Sequence, residues 1–166
     1  MHGNDKIEAS DKNSFYRELL LQFEGLMSDE KDWLASLSNT SALLYQNLPH
    51  VNWAGFYLYK EGMLVLGPFQ GKVACTRIEM GKGVCGTAAR EKETCRVLDV
   101  HKFPGHIACD SASNSEIVVP IIKNDAVVGV LDIDSPSLER FDETDQLYLE
   151  NIVKKLEEYI DWSKIS

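Results

Sequence analysis

Residues 115–134, with the sequence SEIVVPIIKNDAVVGVLDID, decide the fold class of this chain. Two runs rich in valine and isoleucine flank the dipeptide Asn124-Asp125, and such runs around an Asn/Asp pair are typical of β-strands joined by a tight turn. The segment therefore predicts two strong strands that return antiparallel to each other.

Further strands are predicted upstream of this pair. The aromatic segment VNWAGFYLYK, residues 51–60, ends at a Glu-Gly turn, and MLVLGPF, residues 63–69, follows as its partner. KVACTRIEM at 72–80 and TCRVLDV at 94–100 are interpreted as two more strands. The middle of the chain is therefore predicted to be a sheet.

Helical patterns surround the strands. Apolar residues at spacings of three and four predict a helix from Ser14 and a second helix capped by Ser28. GKGVCGTAAREK predicts a short helix with Cys85 near its N-terminus, and Asp142 can cap a last amphipathic helix. Helices, then an antiparallel sheet, then a closing helix predict an α+β layer architecture.

Length and charge limit the domain organisation and the partners. The 166 residues fit one domain, predicted at 13–166 after a flexible N-terminus at 1–12. A net charge of −9 argues against nucleic acid or an anionic membrane as the main partner. We find no long apolar run and no signal-peptide pattern, which predicts a cytoplasmic protein with reduced thiols.

The four cysteines suggest redox chemistry. Cys75, Cys85 and Cys109 stand among glycine and small residues, whereas structural cysteines usually occupy regular apolar segments. Cys95 lies in a short predicted strand and is interpreted as a packing residue. The chain has no C-x-x-C pair and no second pair to join His106 and Cys109 in a zinc finger, so no metal is predicted.

The long predicted loop at 99–114 carries Cys109. A loop of this length in a compact domain is usually a lid or a binding loop. A protonated His106 would lower the pKa of the Cys109 thiol, whereas the carboxylate of Asp110 would raise it. The helix N-terminus at Cys85 is expected to stabilise a thiolate there.

Side-chain alternation along a strand directs Trp53, Gly55 and Tyr57 to one face of the sheet. The glycine between two aromatic residues is predicted to leave a gap for a small ligand. The alternative is that both rings belong to the core.

Three acidic residues suggest a second constellation. Asp132 and Asp134 share one face of their strand, and Glu116 begins the neighbouring strand. Like charges on a half-buried strand repel each other, so either the strand end is solvated or one carboxyl is kept protonated and can donate a hydrogen bond.

Six motifs occur in order between residues 52 and 134: NWAGFY, LGPFQGKVAC, GKGVCGTAA, PGHIACD, SEIVVPI and LDID. They resemble those of the free methionine-(R)-sulfoxide reductases, a family of small stand-alone GAF domains. The main departure is at Cys95 and Leu98, where the family more often has a proline-containing stretch.

The resemblance implies a GAF-like fold, with a six-stranded antiparallel sheet, flanking N- and C-terminal helices and a loop-covered ligand pocket. It implies that the substrate is free L-methionine-(R)-sulfoxide and that Cys109 is the nucleophile and Cys75 the resolving thiol. Cys85 is implied as a second resolving thiol or as the nucleophile. The implied substrate-binding residues are Trp53, Tyr57, Glu116, Asp132 and Asp134.

The same resemblance implies no bound cofactor, because thioredoxin with NADPH serves as the external reductant, and it allows a homodimer. Two other functions remain open on the sequence. One is a ligand-sensing GAF module for a cyclic nucleotide or a bilin, although no Cys-His dipeptide marks a bilin attachment site. The other is a thiol peroxidase or redox sensor, which would need neither the aromatic residues nor the acidic cluster.

Overall fold

A computed structural model describes residues 6–9, 11–106 and 112–165 of the chain. The strands are β1 Trp53–Lys60, β2 Met63–Gly71, β3 Arg77–Glu79, β4 Cys95–Val97, β5 Ser115–Lys123 and β6 Ala126–Ser135. The helices are α1 Lys12–Met27, α2 Trp33–Asn47, α3 Gly83–Glu91 and α4 Glu143–Tyr159. The strands form one antiparallel sheet in the order β3-β2-β1-β6-β5-β4, which confirms the predicted α+β class.

Two tight turns connect the main strand pairs as the sequence predicts. Asn124 and Asp125, between β5 and β6, have φ values of 52° and 64°. Glu61 and Gly62, between β1 and β2, have φ values of 53° and 83°. A two-residue hairpin turn with both central residues at positive φ matches the twist of the flanking strands, and asparagine, aspartate and glycine tolerate it best.

The helix boundaries correct one predicted cap. Ser28 does not begin α2, because it is the residue after α1 and donates its backbone N–H to the carbonyl of Glu24. Asp32 caps α2 instead and accepts from the N–H of Ala35. Asp142 caps α4 as predicted, in a reciprocal capping box with Asp145.

The segment 72–80 is shorter as a strand than predicted. Only Arg77–Glu79 pairs with β2, and residues 72–76 run as irregular chain. The backbone carbonyls of Lys72 and Cys75 accept hydrogen bonds from the side chains of Trp53 and Tyr57. Those side chains thus take acceptors that a strand ladder would otherwise use.

The two faces of the sheet bury different clusters. Helices α1, α2 and α4 cover one face and form the main apolar core with alternate residues of β1, β5 and β6. Helix α3 covers the other face with a smaller cluster that includes Trp53, Tyr57 and Cys85. Within the described part of the chain, no helix is long and apolar enough to cross a membrane.

The main core also includes a residue before the predicted domain boundary. Ile7 is buried, and its N–H donates to Oδ1 of Asn47 at 3.0 Å. The domain boundary at residue 13 and the flexible N-terminus at 1–12 remain predictions, and residues 1–5 and 10 of that segment lie outside the described ranges.

Candidate active site

A pocket opens on the face of the sheet that carries α3. It contains about 530 Å³ of empty space, its open mouth included. All five residues predicted to bind substrate line it, together with one predicted catalytic cysteine: Trp53, Tyr57, Cys85, Glu116, Asp132 and Asp134. The structure therefore brings together residues that are up to 81 positions apart in the chain, 134 minus 53.

The strand register gathers the three carboxyl groups. Glu116 on β5 lies directly opposite Asp134 on β6, and Asp132 follows on the same face of β6. Cys85 approaches from α3, and its sulfur, a carboxylate oxygen of Glu116 and one of Asp132 all lie within 4.8 Å of one another.

Burial sets the electrostatics of this cluster. Asp132 is 6% exposed and Glu116 is 7% exposed. Burial, and next the charge of Asp132, raises the pKa of Glu116 and of Asp134 well above the usual range of carboxyls. Of the two alternatives left open by the sequence, the structure favours the protonated carboxyl over a solvated strand end.

The hydrogen bonding of the carboxyl cluster is incomplete. Within the described ranges, the buried Oδ1 atoms of Asp132 and Asp134 have no hydrogen-bond partner. Ser113 donates to Oδ2 of Asp134 at 3.3 Å, and Nε2 of His106 lies 3.9 Å from Oε1 of Glu116. Buried acceptors of this kind are available to a ligand that brings N–H or O–H groups.

The surroundings of Cys85 affect its expected thiolate. It lies in the first turn of α3, as predicted, and is a free cysteine. Burial, followed by the charges of Asp132 and Glu116, raises the pKa of Cys85 well above its usual value. These effects act against the thiolate that the helix N-terminus is expected to stabilise at Cys85.

The other cysteines differ from Cys85. Cys75 is disulfide-bonded. Cys95 is a half-buried free thiol that packs against the pocket-side cluster, in line with a packing role. Cys109 and the neighbouring Asp110 lie outside the described residues.

His106, at the end of the described part of the loop, does not favour an imidazolium. Burial, then the neighbouring His101, lowers the pKa of His106. The proposed effect of a protonated His106 on the pKa of Cys109 therefore has little support near neutral pH.

The aromatic pair is arranged differently from the predicted open gap. Phe69 of β2 occupies the space over Gly55, where any Cβ would overlap the Cβ of Phe69. Its ring stacks on Trp53 with centroids 5.1 Å apart, and Trp53 stacks on Tyr57 at 5.9 Å. The rings of Trp53 and Tyr57 thus form a wall of the pocket, and both belong to the buried cluster against which Phe69 packs.

The polar atoms of Trp53 and Tyr57 donate hydrogen bonds to the irregular segment 72–76 that precedes β3. Nε1 of Trp53 donates to the carbonyl of Lys72 at 3.1 Å, and the hydroxyl of Tyr57 donates to the carbonyl of Cys75 at 2.9 Å. Cys75 is therefore fixed by its own backbone to the wall of the pocket.

Sequence reasoning missed the contribution of the α3 N-terminus. Lys82, Gly83 and Val84 line the pocket, and the side chain of Lys82, the N-cap residue, makes no capping hydrogen bond. The signal available was the glycine-rich start GKG before a helix, since N–H groups at a helix start attract anions.

Comparison with known proteins places this pocket in a family. A GAF domain model matches residues 35–161. The free methionine-R-sulfoxide reductase of Escherichia coli K12 is 53% identical over 90% of this chain and 90% of its own length. The chain belongs to the free methionine-R-sulfoxide reductase family. The predicted family, fold and enzyme class are thereby confirmed.

Other free methionine-R-sulfoxide reductases extend the match to both ends of the domain. The Saccharomyces cerevisiae enzyme is 51% identical over 92% of this chain and 91% of its own length. The X-ray structure of the Neisseria meningitidis enzyme, in complex with its substrate, superposes with a TM-score of 0.93. It is 49% identical and covers 99% of this chain and 98% of its own.

Proposed function

We propose that this chain reduces free L-methionine-(R)-sulfoxide to L-methionine in the pocket between the sheet and α3. Membership of the free methionine-R-sulfoxide reductase family supports the reaction. The observation that carries the proposal is the buried cluster of Glu116, Asp132 and Asp134, which faces a pocket lined by aromatic rings and a thiol.

The carboxyl cluster suits the removal of the sulfoxide oxygen. That oxygen leaves sulfur only when it accepts protons, so a proton donor is needed in the transition state. Burial and mutual repulsion keep protons on Glu116 and Asp134 at pH values where an exposed carboxyl would be ionised. Asp132, whose buried Oδ1 has no hydrogen-bond partner among the described residues, then serves the substrate ammonium group.

Other groups that line the pocket suit the thioether end and the carboxylate of the substrate. Trp53 and Tyr57 contact the methyl and thioether end, and contacts between sulfur and an aromatic ring are worth about 0.3–1.5 kcal/mol each. The substrate carboxylate is served by the N-terminus of α3 beside Lys82. A peptide-bound methionine carries chain on both sides of Cα, which this arrangement does not accommodate.

Cys109 is the proposed nucleophile. Its thiolate attacks the sulfoxide sulfur, and the net result is that the oxygen atom passes to the Cys109 sulfur as a sulfenic acid while methionine leaves. The raised pKa of Cys85 argues against Cys85 in this role, because a neutral thiol is a poor nucleophile.

Cys75 is the proposed resolving thiol. Its thiolate attacks the sulfenic acid, a disulfide forms and water is released. In the structure Cys75 is disulfide-bonded, so its sulfur is one that can form such a bond, whereas Cys85 and Cys95 are free thiols. Cys85 then remains a reserve resolving thiol beside the substrate.

The reductant and the setting also belong to the proposal. A dithiol protein of the thioredoxin type, itself reduced with NADPH, restores the thiols by disulfide exchange, and no bound cofactor takes part. The cytoplasmic location and the homodimer remain predictions from the sequence.

The first experiment is a coupled assay that follows NADPH consumption with thioredoxin and thioredoxin reductase. Free L-methionine-(R)-sulfoxide, its (S) epimer and an N-blocked (R) substrate are compared. We expect turnover of the first alone. Equal turnover of the N-blocked compound would refute the limit to free amino acid, and no turnover by folded, reduced protein would refute the reaction.

Cysteine variants separate the proposed roles. Cys109→Ser should abolish methionine formation, and the double variant Cys75→Ser/Cys85→Ser, which lacks both the resolving thiol and its reserve, should allow one turnover and then leave a sulfenic acid that dimedone traps. Cys95→Ser is the matched control, since Cys95 is a free thiol outside the pocket lining. Full single-turnover activity in Cys109→Ser would transfer the role of nucleophile to another cysteine.

The same assay distinguishes a thiol peroxidase or redox sensor. Trp53→Ala and Asp134→Asn should lose sulfoxide reduction but keep thiols that react with peroxide. Unchanged sulfoxide reduction in both variants would contradict the proposed pocket.

A further inference from the structure

We propose that the reduced pocket also binds one zinc ion through Cys85, Glu116 and Asp132, in competition with the sulfoxide substrate. The zinc-bound form is catalytically silent. This site goes beyond the proposed reaction, which uses no metal.

The positions of the three donor atoms support the site. The thiol sulfur and the two carboxylate oxygens lie within 4.8 Å of one another and come from α3, β5 and β6. Zinc binds sulfur at about 2.3 Å and carboxylate oxygen at about 2.0–2.2 Å, which in tetrahedral geometry separates ligand atoms by about 3.6 Å. Side-chain movements of roughly 1 Å thus suffice to surround an ion.

The carboxyl cluster lacks a cationic partner among the described residues, which favours the binding of a cation. Asp132 lines the pocket and is only 6% exposed, and its buried Oδ1 has no hydrogen-bond partner among the described residues. In the same ranges, no lysine or arginine forms an ion pair with Glu116, Asp132 or Asp134. A divalent ion would offset the repulsion between these groups and fill the open acceptor site.

The donor set selects the type of metal. A thiolate combined with oxygen ligands suits zinc, whereas calcium and magnesium take oxygen ligands only. Three protein ligands leave a fourth position towards the pocket, where water or Nε2 of His106, 3.9 Å from Oε1 of Glu116, can complete the tetrahedron. On binding, the proton of the Cys85 thiol passes to solvent.

Zinc and the sulfoxide would exclude each other because they use the same groups. Glu116 and Asp132 are the carboxyls proposed to serve the substrate, so the ion occupies their positions. The ion would also hold Cys85 as a metal-bound thiolate and thereby protect it from alkylation.

The test uses the full-length chain, reduced with a phosphine and freed of metal with a chelator. Cobalt chloride is titrated as a spectroscopic probe, zinc chloride then displaces it, and iodoacetamide labelling followed by mass spectrometry reports on Cys85. We expect one equivalent of cobalt with a thiolate-to-metal absorption band, full displacement by zinc, and at least tenfold slower labelling of Cys85 with zinc bound.

Variants identify the ligands. Cys85→Ser should lose the thiolate band, and Asp132→Asn should weaken zinc binding at least tenfold, with circular dichroism to verify folding. Cys75→Ser and Cys95→Ser should retain the band and the affinity. A band that persists in Cys85→Ser, or one that disappears in Cys75→Ser, would refute the assigned ligands.

Competition is measured without turnover. Saturating free L-methionine-(R)-sulfoxide should raise the apparent dissociation constant for zinc at least tenfold in Cys109→Ser, and an unchanged constant would refute the overlap. Since cobalt absorption reports binding directly, failure of this proposal is distinguishable from failure of sulfoxide reduction, which the coupled assay measures.

Discussion

The two faces of the central sheet use the same strands for opposite purposes. On the face covered by α1, α2 and α4, here called the apolar face, β1 contributes Ala54, Phe56 and Leu58, which are all buried in one apolar core. On the pocket face, the intervening residues of β1 are Trp53 and Tyr57, and the neighbouring strands add carboxyl groups. The period of two along each strand lets one segment stabilise the fold and build the site at once.

The comparison of the two faces shows that the pocket face is the one that destabilises the fold. Buried carboxyl groups without cationic partners oppose folding, since desolvation and repulsion both disfavour their charged forms. The pocket face thus breaks the rule that a buried carboxyl group is paired with a cation, and such exceptions are expected at functional sites.

The largest expected effect comes from the apolar face. Phe56→Ala removes a ring that is 0% exposed, so the free energy of unfolding should fall by about 3–5 kcal/mol. Urea unfolding measures the loss. The fraction that stays folded should keep its kcat, because Phe56 does not line the pocket. A large fall in the kcat of the folded fraction would contradict the assignment of stability to the apolar face and of catalysis to the pocket face.

Glu116→Gln should show the opposite pattern. The amide keeps the shape of the side chain but cannot deliver an acidic proton, so kcat should fall by about 100-fold or more. Stability near pH 5 should change little, because burial already favours the uncharged carboxyl there. Stopped-flow measurement of methionine formation gives the rate, and a kcat within threefold of the parent would exclude Glu116 as the proton donor.

The pH dependence of stability should separate the two faces further. Burial raises the folded-state pKa of Glu116 and Asp134, so their contribution is fully present below about pH 4, their ordinary range, and is lost as pH rises towards the folded pKa. The slope is about 1.4 kcal/mol per pH unit for each proton involved. Urea midpoints measured between pH 5 and 9 should fall more steeply in the parent than in Glu116→Gln.

Asp142, at the start of α4, should titrate with the opposite sign. Burial alone would raise its pKa, but hydrogen bonds from the Asp145 backbone and from Lys12 lower it to about 2. Its contribution is present above about pH 4 and is lost as pH falls towards 2. Asp142→Asn should therefore reduce stability at pH 7 and leave it unchanged at pH 2, and equal losses at both would contradict this origin.

The smallest effect is expected from Tyr57→Phe. The variant keeps the ring and removes only the hydroxyl that donates to the carbonyl of Cys75. The free energy of unfolding should therefore fall by about 0.5–1.5 kcal/mol. Formation of the sulfenic acid should keep its rate, while disulfide formation should slow several-fold because Cys75 is held less firmly. A dimedone-trapping time course separates the two steps, and equal slowing of both would assign the hydroxyl to the substrate instead.

The sequence predicted most of the fold because its local signals agree with the final structure. The turn at Asn124-Asp125 and the cap at Asp142 both depend on residues close in the chain. The cap at Ser28 was wrong because Asp32, four residues later, offers a carboxylate at the true helix start. The strand at 72–80 was too long because two distant aromatic side chains take its backbone carbonyls.

The sequence predicted residues that line the pocket, but it did not predict their electrostatics. Alternation placed Asp132 and Asp134 on one face, and the resemblance implied Glu116 and the aromatic pair. The raised pKa of Cys85 could not be predicted, since it follows from burial beside carboxyls that are 31 and 47 positions away, 116 minus 85 and 132 minus 85. The filled space over Gly55 likewise depends on Phe69 of the next strand.

By itself, the sequence determined the strands, their turns, the helix patterns and the family motifs, because periodicity, turn chemistry and capping act over a few residues. Tertiary structure alone decided which carboxyl groups meet, how deeply they are buried and which backbone the tyrosine hydroxyl holds. Those quantities depend on the register between strands and on the loss of water around charged groups, which arise only when distant segments pack together.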